Sequence, residues 1–350
     1  MTKIMKIVHC ILSFNTGGAE TMLIDIANDQ VKTSDVSIII LNNSYSNELI
    51  SKLSPSIKVI RINRPLKSRS IIPIIKLNWT LFRLHPDIIH IHNAVLNKII
   101  LENVSRGLFL TVHDLRIPLE CVRRNTHIIA ISDAVKQDIE NRITNEITVI
   151  PNGINTSAIK KKEIYKIDKC FKIVQVARLD SSKKGQDILI KAIAQLKRQN
   201  INNVYADFIG AGESEQELKK LAKDLNVDKQ INFLGLKDRE YIYSHLCNYD
   251  MMCHPSRYEG FGLTVAEGMA AGLPTLVPDS GGPYEVTGFG KFGFSFKNED
   301  FNDCANKILQ IINGYAEIKP ICLNAMQHID DKYSVSTTAK KYNLFYNTVL

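Results

Sequence analysis

The stretch from residue 251 to residue 286 constrains the fold more than any other part of the chain. Residues 251–253 (MMC) and 275–277 (TLV) are short apolar runs typical of buried strands. Residues 263–271 between them have the composition of a helix, which Gly272 and Pro274 end. A strand, a glycine-containing loop, a helix and a second strand predict a βαβ unit of a parallel sheet.

The loop of this unit, EGFG (259–262), carries a predicted anion site. The first backbone N–H groups of a helix bind phosphate groups or sugar hydroxyls, and here Gly262 and Leu263 would supply them. Two carboxylates flank the site, since Glu259 lies in the loop and Glu267 lies one helical turn inside the helix.

Strand-like and helix-like segments alternate along the rest of the chain. The predicted strands are 6–12, 36–41, 57–62, 88–92, 108–112, 128–132, 147–150, 171–177, 206–209 and 231–235, and the predicted helices are 21–28, 70–84, 134–139, 186–198, 305–313 and 335–350. This alternation over 350 residues predicts two α/β domains with parallel sheets. Ligands of such sheets bind beyond the carboxyl ends of the strands, where Gly17, His113, Arg178 and Glu259 fall.

Several of these motifs together resemble one protein family. They are EGFGLTVAEGMAAGLP (259–274), whose two glutamates are separated by seven residues, SGGPYE (280–285), GGAE (17–20), PNGI (151–154) and RLDSSKKG (178–185). The sequence resembles the retaining, nucleotide-sugar-dependent glycosyltransferases of glycosyltransferase family 4, which have the GT-B fold. The resemblance runs almost from end to end but is weak between residues 41 and 88.

The resemblance implies a domain organisation. It implies an α/β fold of two Rossmann-like domains whose parallel sheets face a central cleft. Residues 1–165 would form the acceptor-binding domain, residues 170–330 the nucleotide-sugar-binding domain, and residues 331–350 a helix that packs back on the first domain. The lysine-rich stretch 160–169 is a candidate linker.

The resemblance also implies roles for named residues. Arg178 and Lys184, with Lys183 as the alternative to Lys184, would face the donor diphosphate, because fixed cations stabilise the charge on the leaving oxygens. His113 would form a hydrogen bond to a sugar hydroxyl, Glu259 would hold the sugar, and Glu267 would accept hydrogen bonds from the ribose. The remaining implied donor-binding residues are Gly17, Gly18, Gly210, Gly235, Phe261, Gly262 and Leu263. Taken alone, the glycine pair would be read as an ordinary tight turn.

We expect neither a cofactor nor a metal. The two cations supply the charge that a metal would otherwise provide, and no D-x-D pair follows a predicted strand. His90 and His92 share a strand face and could bind a metal, but no third ligand is evident nearby. The seven cysteines form no C-x-x-C pair, which predicts reduced thiols in a cytoplasmic protein.

The net charge of +8 is concentrated in one segment. Residues 49–86 contain eight lysines and arginines and no acidic residue, together with many apolar residues. Basic residues beside an exposed apolar face suit an anionic membrane surface. We therefore expect a protein that lies peripherally on the cytoplasmic face of the membrane and glycosylates a lipid-linked acceptor in bacterial surface polysaccharide synthesis. The sequence leaves open whether these apolar residues belong instead to the core.

Other partners and functions are less consistent with the sequence. A nucleic-acid partner is not expected, because the chain has one tryptophan and no aromatic residues interleaved with the basic run. A nucleotide-sugar epimerase of the same fold should need acid and base groups near the sugar, and the spacing of the two glutamates with GGAE argues against it. A non-catalytic subunit of a polysaccharide assembly is the third alternative.

Overall fold

The computed structural model describes residues 4–102 and 104–350 and divides into two compact units. Unit 1 comprises the described residues up to Ile154 together with Ser334–Leu350, and unit 2 is Asn155–Tyr333. The strands are β1 (Lys6–Ile11), β2 (Asp35–Asn42), β3 (Lys58–Arg64), β4 (Ile88–Ile91), β5 (Gly107–Val112), β6 (His127–Ala130), β7 (Ile147–Val149), β8 (Phe171–Val176), β9 (Val204–Ile209), β10 (Ile231–Phe233), β11 (Met251–Cys253), β12 (Thr275–Pro278) and β13 (Phe294–Phe296).

Helices connect these strands and cover the sheets. They are α1 (Gly18–Gln30), α2 (Asn47–Ser51), α3 (Ile72–Leu84), α4 (Val95–Ile99), α5 (Asp133–Glu140), α6 (Ser181–Lys184), α7 (Gln186–Arg198), α8 (Glu215–Asp224), α9 (Arg239–His245), α10 (Leu263–Ala270), α11 (Gly281–Val286), α12 (Phe301–Asn313), α13 (Lys319–Tyr333) and α14 (Val335–Asn347). Among the described residues, no helix has both the length and the apolar composition needed to cross a bilayer.

Each unit is built on one parallel sheet. The strand order in unit 1 is β3-β2-β1-β4-β5-β6-β7, and the order in unit 2 is β10-β9-β8-β11-β12-β13. In unit 1 the strands are added on one side of β1 as far as β3 and on its other side from β4 onwards, and in unit 2 the same change of side occurs between β8 and β11. Ligands of open parallel sheets bind at the carboxyl ends of the strands that flank such a reversal. The predicted α/β class with a parallel sheet in each half is confirmed.

The C-terminal helix completes the core of unit 1. Tyr342 and Tyr346 of α14 are fully buried and pack with Ile7 of β1 and Phe109 of β5. The Tyr346 hydroxyl also lies 2.5 Å from Nδ1 of His90. Unit 1 is therefore assembled from two separate parts of the chain.

The boundary between the units differs from the predicted one. It falls after Ile154 rather than near residue 165, and the lysine-rich stretch predicted as a linker is part of unit 2. The Lys162 ammonium donates to the Tyr249 carbonyl at 2.7 Å, and the Tyr165 hydroxyl donates to the Gly272 carbonyl at 2.8 Å. These side chains hold the stretch against unit 2, so its charge does not make it a free linker.

Helix α3 presents an apolar face to solvent. Ile72, Ile75, Trp79 and Phe82, spaced so that they share one side of the helix, are 57–71% exposed. Leu77 and Leu81 on the opposite side are fully buried. The sequence left open whether the apolar residues of this segment lie in the core, and the structure places only part of them there.

Candidate functional site

Two predicted site residues of unit 2, Lys184 and Glu259, meet at the point where the strand order of its sheet reverses. Lys184 lies in the segment after β8, and Glu259 lies in the loop after the neighbouring strand β11. The Lys184 ammonium and the Glu259 carboxylate form an ion pair, and each side chain is 17% exposed. Adjacent parallel strands thus deliver a cation and an anion to one point at the carboxyl edge of the sheet.

A glycine makes this meeting possible. Gly185 follows Lys184 and has a φ of +65°, and a Cβ atom there would lie 2.0 Å from the Pro255 carbonyl oxygen. Any other residue would combine backbone strain with a steric clash. The lysine and glycine of the RLDSSKKG motif therefore act together, because the glycine lets the lysine segment approach the loop after β11.

His254 is a site residue that the sequence analysis missed. It is 2% exposed, and its Nε2 atom lies 2.8 Å from the Ser256 hydroxyl and 3.4 Å from Glu259 Oε2. Burial lowers the pKa of His254, which keeps the ring neutral. The available signal was its position directly after β11.

The carboxyl of Glu259 is held ionised. Burial alone would raise its pKa, but the hydrogen bond from His254 and the charge of Lys184 outweigh burial and lower the pKa below its usual range. A carboxylate that stays charged accepts hydrogen bonds only. Glu259 can therefore bind sugar hydroxyls but does not hold a proton to donate near neutral pH.

Arg257, also missed from the sequence, ties the two loops together. Its guanidinium forms two 2.9 Å hydrogen bonds to the Asp187 carboxylate at the start of α7. The Lys183 ammonium lies 5.2 Å from the centre of the Tyr258 ring, so Lys183 and Lys184 face different partners. The fork between Arg257 and Asp187 is a bidentate, charge-assisted pair, which fixes the geometry of both loops.

Arg178 is exposed at the end of β8, and glycines shape the backbone around it. Gly210 has a φ of +147°, and a Cβ atom there would lie 1.9 Å from the Ala177 carbonyl oxygen. The Gly210 amide donates to the Gly235 carbonyl at 2.9 Å. The predicted donor-binding glycines 210 and 235 therefore meet each other in the turns beside Arg178.

The N-terminus of α10 is the third element at this edge. Gly262 precedes the helix with a φ of +92° and has no side chain to cap it, and Leu263 is the first helical residue. The first N–H groups of an α-helix lack intrahelical acceptors, so this end suits an anion. Phe261 is 3% exposed and packs edge-on against Tyr333, so its side chain contributes to the core.

Glu267 lies on α10 and is 8% exposed. The Tyr243 hydroxyl of α9 donates to its Oε1 atom at 3.3 Å. Tyr243 belongs to α9, whereas Lys184 and His254, which contact Glu259, follow β8 and β11. The predicted roles of the two glutamates can be tested by separate substitutions.

The remaining predicted residues lie at the carboxyl edge of the unit 1 sheet. Gly17 precedes α1 and Gly18 is its first residue, and a Cβ atom on Gly17 would lie 2.4 Å from Oε2 of Glu20. His113 directly follows β5. Burial lowers the pKa of His113 to about 4.

Three further histidines stand beside His113. His9 on β1, and His90 and His92 at β4, form a buried stack with it, and neighbouring ring centres in the stack are 4.6–5.3 Å apart. His9 supplies the third possible metal ligand that the sequence did not reveal. The ring nitrogens of all three already have hydrogen-bond partners, which a metal ion would have to replace.

The family models match the chain in two consecutive blocks. The model for Glycosyltransferase Family 4 matches residues 16–158, and the model for Glycosyl transferases group 1 matches residues 157–321. The chain therefore belongs to the GT-B glycosyltransferases of the family 4 type.

A solved structure and two curated relatives illustrate this likeness. The crystal structure of Anabaena Alr3699/HepE in complex with UDP and glucose aligns with a TM-score of 0.83 and 23% identity, over 98% of this chain and 100% of that chain. Alpha-1,3/1,6-mannosyltransferase ALG2 of Dictyostelium discoideum is 29% identical over 216 residues, which are 59% of this chain and 48% of the relative. The poly(ribitol-phosphate) alpha-N-acetylglucosaminyltransferase of Staphylococcus aureus strain COL is 27% identical over 231 residues, which are 65% of this chain and 45% of the relative. The chain thus spans about half the length of these curated relatives.

Proposed function

We propose that the chain is a retaining glycosyltransferase that uses a nucleoside-diphosphate sugar, and that unit 2 binds this donor. The observation that carries the proposal is the ion pair of Lys184 and Glu259 beside the N-terminus of α10. Cations and unpaired N–H groups suit the diphosphate, and an ionised carboxylate suits sugar hydroxyls. Both lie where the strand order of the sheet reverses, the usual ligand position in such sheets.

In the proposed reaction the donor loses its diphosphate. The bond between C1 of the sugar and a phosphate oxygen breaks, and the acceptor hydroxyl oxygen bonds to C1 on the same face. The hydroxyl proton passes to the departing phosphate oxygen, so the step needs no other base. Arg178 and Lys184 stabilise the charge that develops on the diphosphate. An ammonium has three N–H donors, so Lys184 can keep Glu259 and still donate to a phosphate oxygen.

The similar proteins support a nucleotide donor and a surface polysaccharide product. HepE was crystallised with UDP and glucose, and the Staphylococcus aureus relative is named as a transferase of N-acetylglucosamine to poly(ribitol-phosphate). We propose by extension that this chain acts in the synthesis of a bacterial surface polysaccharide.

Thermal stabilisation by nucleotide sugars tests the donor. A ligand that binds only the folded protein stabilises it by about 2.7 kcal/mol at one hundred times Kd. We expect one family of nucleoside-diphosphate sugars to raise the melting temperature of the wild type and to do so far less for Lys184→Ala. Transfer to an acceptor with the anomeric configuration of the donor, read by NMR of the product, is the expected chemistry. An inverted product, or epimerisation of the donor without any acceptor, would contradict it.

We further propose that helix α3 docks on an anionic membrane, where a lipid-linked acceptor would lie. The exposed face of Ile72, Ile75, Trp79 and Phe82 is joined by exposed cations before and along the helix, Lys67, Arg69, Lys76 and Arg83. Exposed aromatic and aliphatic side chains enter the interface of a bilayer, and each basic residue near an anionic surface adds about 1 kcal/mol. The basic charge and the apolar face lie together, which is the combination that anionic lipid attracts.

Co-sedimentation with liposomes tests this surface. Binding should rise with the fraction of anionic lipid, fall with salt, and drop when Lys67, Arg69, Lys76 and Arg83 are replaced by Ser. A variant with Trp79→Ser and Phe82→Ser should also lose the binding that the wild type retains at high salt, because this part depends on the apolar side chains. Replacement of the exposed lysines 219, 220 and 223 of α8 removes charge from another surface and serves as the control. Wild-type protein that stays in the supernatant with anionic liposomes at low salt would refute the membrane proposal.

A further inference from the structure

Four histidines of unit 1, His9, His90, His92 and His113, lie on one face of its sheet in a row that leads to the carboxyl edge. His9 pairs in register with His90 across β1 and β4, and His90 pairs with Phe109 of β5. Thr111 and His113 follow Phe109 by two and four residues, and His92 follows His90 by two, so all of them alternate to the same face. These residues therefore project to the same side of the sheet, where Gln30 of α1 and the tyrosines of α14 also lie.

Hydrogen bonds connect three of these rings in a single chain. His9 Nε2 lies 2.8 Å from Gln30 Oε1, and His9 Nδ1 lies 3.1 Å from His92 Nε2. His92 Nδ1 lies 3.0 Å from His113 Nε2. The last atom of the chain, His113 Nδ1, is buried and has no hydrogen-bond partner in unit 1 or elsewhere among the described residues.

The Gln30 amide sets the direction of this chain. Its Nε2 donates to Asn343 Oδ1 at 3.3 Å, which leaves its carbonyl oxygen to accept from His9. A neutral imidazole has one N–H and one lone pair, so a ring that donates from Nε2 must accept at Nδ1. His9 therefore accepts from His92, and His92 accepts from His113.

We propose that Gln30, His9 and His92 are positioning residues that keep Nδ1 of His113 unprotonated, so that it accepts a hydrogen bond from a hydroxyl of the sugar substrate. This proposal rests on the proposed transferase function for its ligand, but the state of the ring is a property of the free protein. A bare imidazole nitrogen rejects phosphate and carboxylate oxygens, since neither can donate. His113 would thus select hydroxyls and not the charged part of a donor.

Burial supports a neutral chain. It lowers the pKa of His9 and of His113 to about 4 and also lowers the pKa values of His90 and His92 well below the ordinary histidine range, with the neighbouring histidines adding to the effect at these two. All four rings are therefore uncharged near neutral pH. An unmet buried acceptor costs stability, and a ligand hydroxyl that reaches it recovers this cost.

Nitrogen-15 NMR of protein labelled at histidine tests the chain without any ligand. In the wild type, His113 should show Nδ1 as an unprotonated nitrogen and Nε2 as a protonated one, with the assignment taken from the signals lost in His113→Asn. His92→Gln should keep this state, because an amide donates to His9 and accepts from His113. His92→Leu should give a mixture of the two tautomers. A protonated Nδ1 in the wild type, or no change in His92→Leu, would overturn the proposal.

His90 provides a matched control. It lies in the same stack but bonds to Tyr346 and Thr111 outside the chain, so His90→Gln should leave the His113 tautomer unchanged.

Calorimetry with UDP-glucose, GDP-mannose and their free diphosphates adds a functional readout, the affinity for each ligand. His92→Leu should weaken binding of the preferred nucleotide sugar roughly threefold to tenfold and leave binding of the free diphosphate unaffected. An equal loss for both would show a merely structural role, whereas failure of every nucleotide to bind the wild type would refute the transferase proposal and leave the NMR result to decide on the chain.

Discussion

The carboxyl ends of β1 and β4 in unit 1 and of β8 and β11 in unit 2 occupy equivalent positions in sheets of the same strand order, yet they carry different kinds of polar group. In unit 1 a row of buried, neutral histidines ends at this edge with His92 and His113, and in unit 2 the ion pair of Lys184 and Glu259 lies there. The same topology therefore supports two opposite electrostatic environments. We propose that unit 2 binds the charged diphosphate and that unit 1 binds uncharged hydroxyl groups.

The largest effect should follow from removal of charge in unit 2. Arg178→Ala and Lys184→Ala should each lower turnover roughly 10²-fold or more, as does the loss of one preorganised donor to a transition state. Lys183→Ala is the matched control, since its ammonium rests on the Tyr258 ring. Steady-state kinetics with circular dichroism as a folding check would measure this, and small, equal effects at all three positions would contradict the assignment.

Acid should destabilise unit 1 through its neutral histidines. Because burial lowers the pKa of His9 from 6.5 to about 4, the unfolded chain takes up a proton that the folded one refuses, and stability is lost as the pH falls from 6.5 towards 4. At pH 5 this one ring costs about 2 kcal/mol of unfolding free energy, a factor of roughly 30 in the equilibrium constant.

Urea unfolding followed by Trp79, the only tryptophan of the chain, reports on unit 1. His90→Gln should show a weaker loss of stability between pH 6.5 and pH 5 than the wild type. His85→Asn, which replaces an exposed histidine, should show the wild-type loss. Unfolding that is independent of pH over this range would mean that the histidine stack is not neutral in the folded protein.

The two glutamates of unit 2 should separate binding from transfer. Glu267→Gln should weaken binding of the free nucleoside diphosphate roughly tenfold, because we propose that the Glu267 carboxylate accepts hydrogen bonds from the ribose, and the substitution removes its charge. Glu259→Gln should leave that affinity nearly intact and impair sugar transfer. Calorimetry with the diphosphate and a transfer assay on both variants measure the difference, and the reverse ranking would refute these roles.

The smallest expected effect is that of a chelator. Because we propose that Arg178 and Lys184 supply the positive charge at the diphosphate, we predict that turnover changes little in EDTA. Activity that is lost in EDTA and returns with magnesium or manganese would show that a metal performs part of the task assigned here to unit 2.

Much of the architecture could be predicted from local pattern. The segment β11–α10–β12 was predicted to within one residue at each of its boundaries, because polar residues and prolines bound its apolar runs and Gly262 and Gly272 bound its helix. No prediction was made for seven helices and one strand, most of which are too short to show a clear apolar period: α2, α4, α6, α8, α9, α11, α13 and β13. The exposed side of α3 could not be predicted, because a helix that is apolar all round does not reveal which side the protein covers.

The site was harder to predict where it depends on the sheet. Lys184 and Glu259 could be predicted from motifs, but the pair that they form depends on β8 and β11 being neighbours. His9 gave no signal, because it meets His90 only through the register of β1 and β4. The predicted linker failed for a related reason, since Lys162 finds a partner in Tyr249, far along the chain.

The division of unit 1 into two segments of the chain has a consequence for its synthesis. The ribosome makes the part up to Ile154 first, but Tyr342 and Tyr346, which fill its core, come after all of unit 2. Until α14 has been synthesised, no tyrosines pack over the histidine stack around His90. Unit 2 is one continuous segment and can fold as soon as it has left the ribosome. The nascent protein should therefore finish its second unit before its first, and a ribosome stalled before Ser334 should display an apolar surface for chaperones to bind.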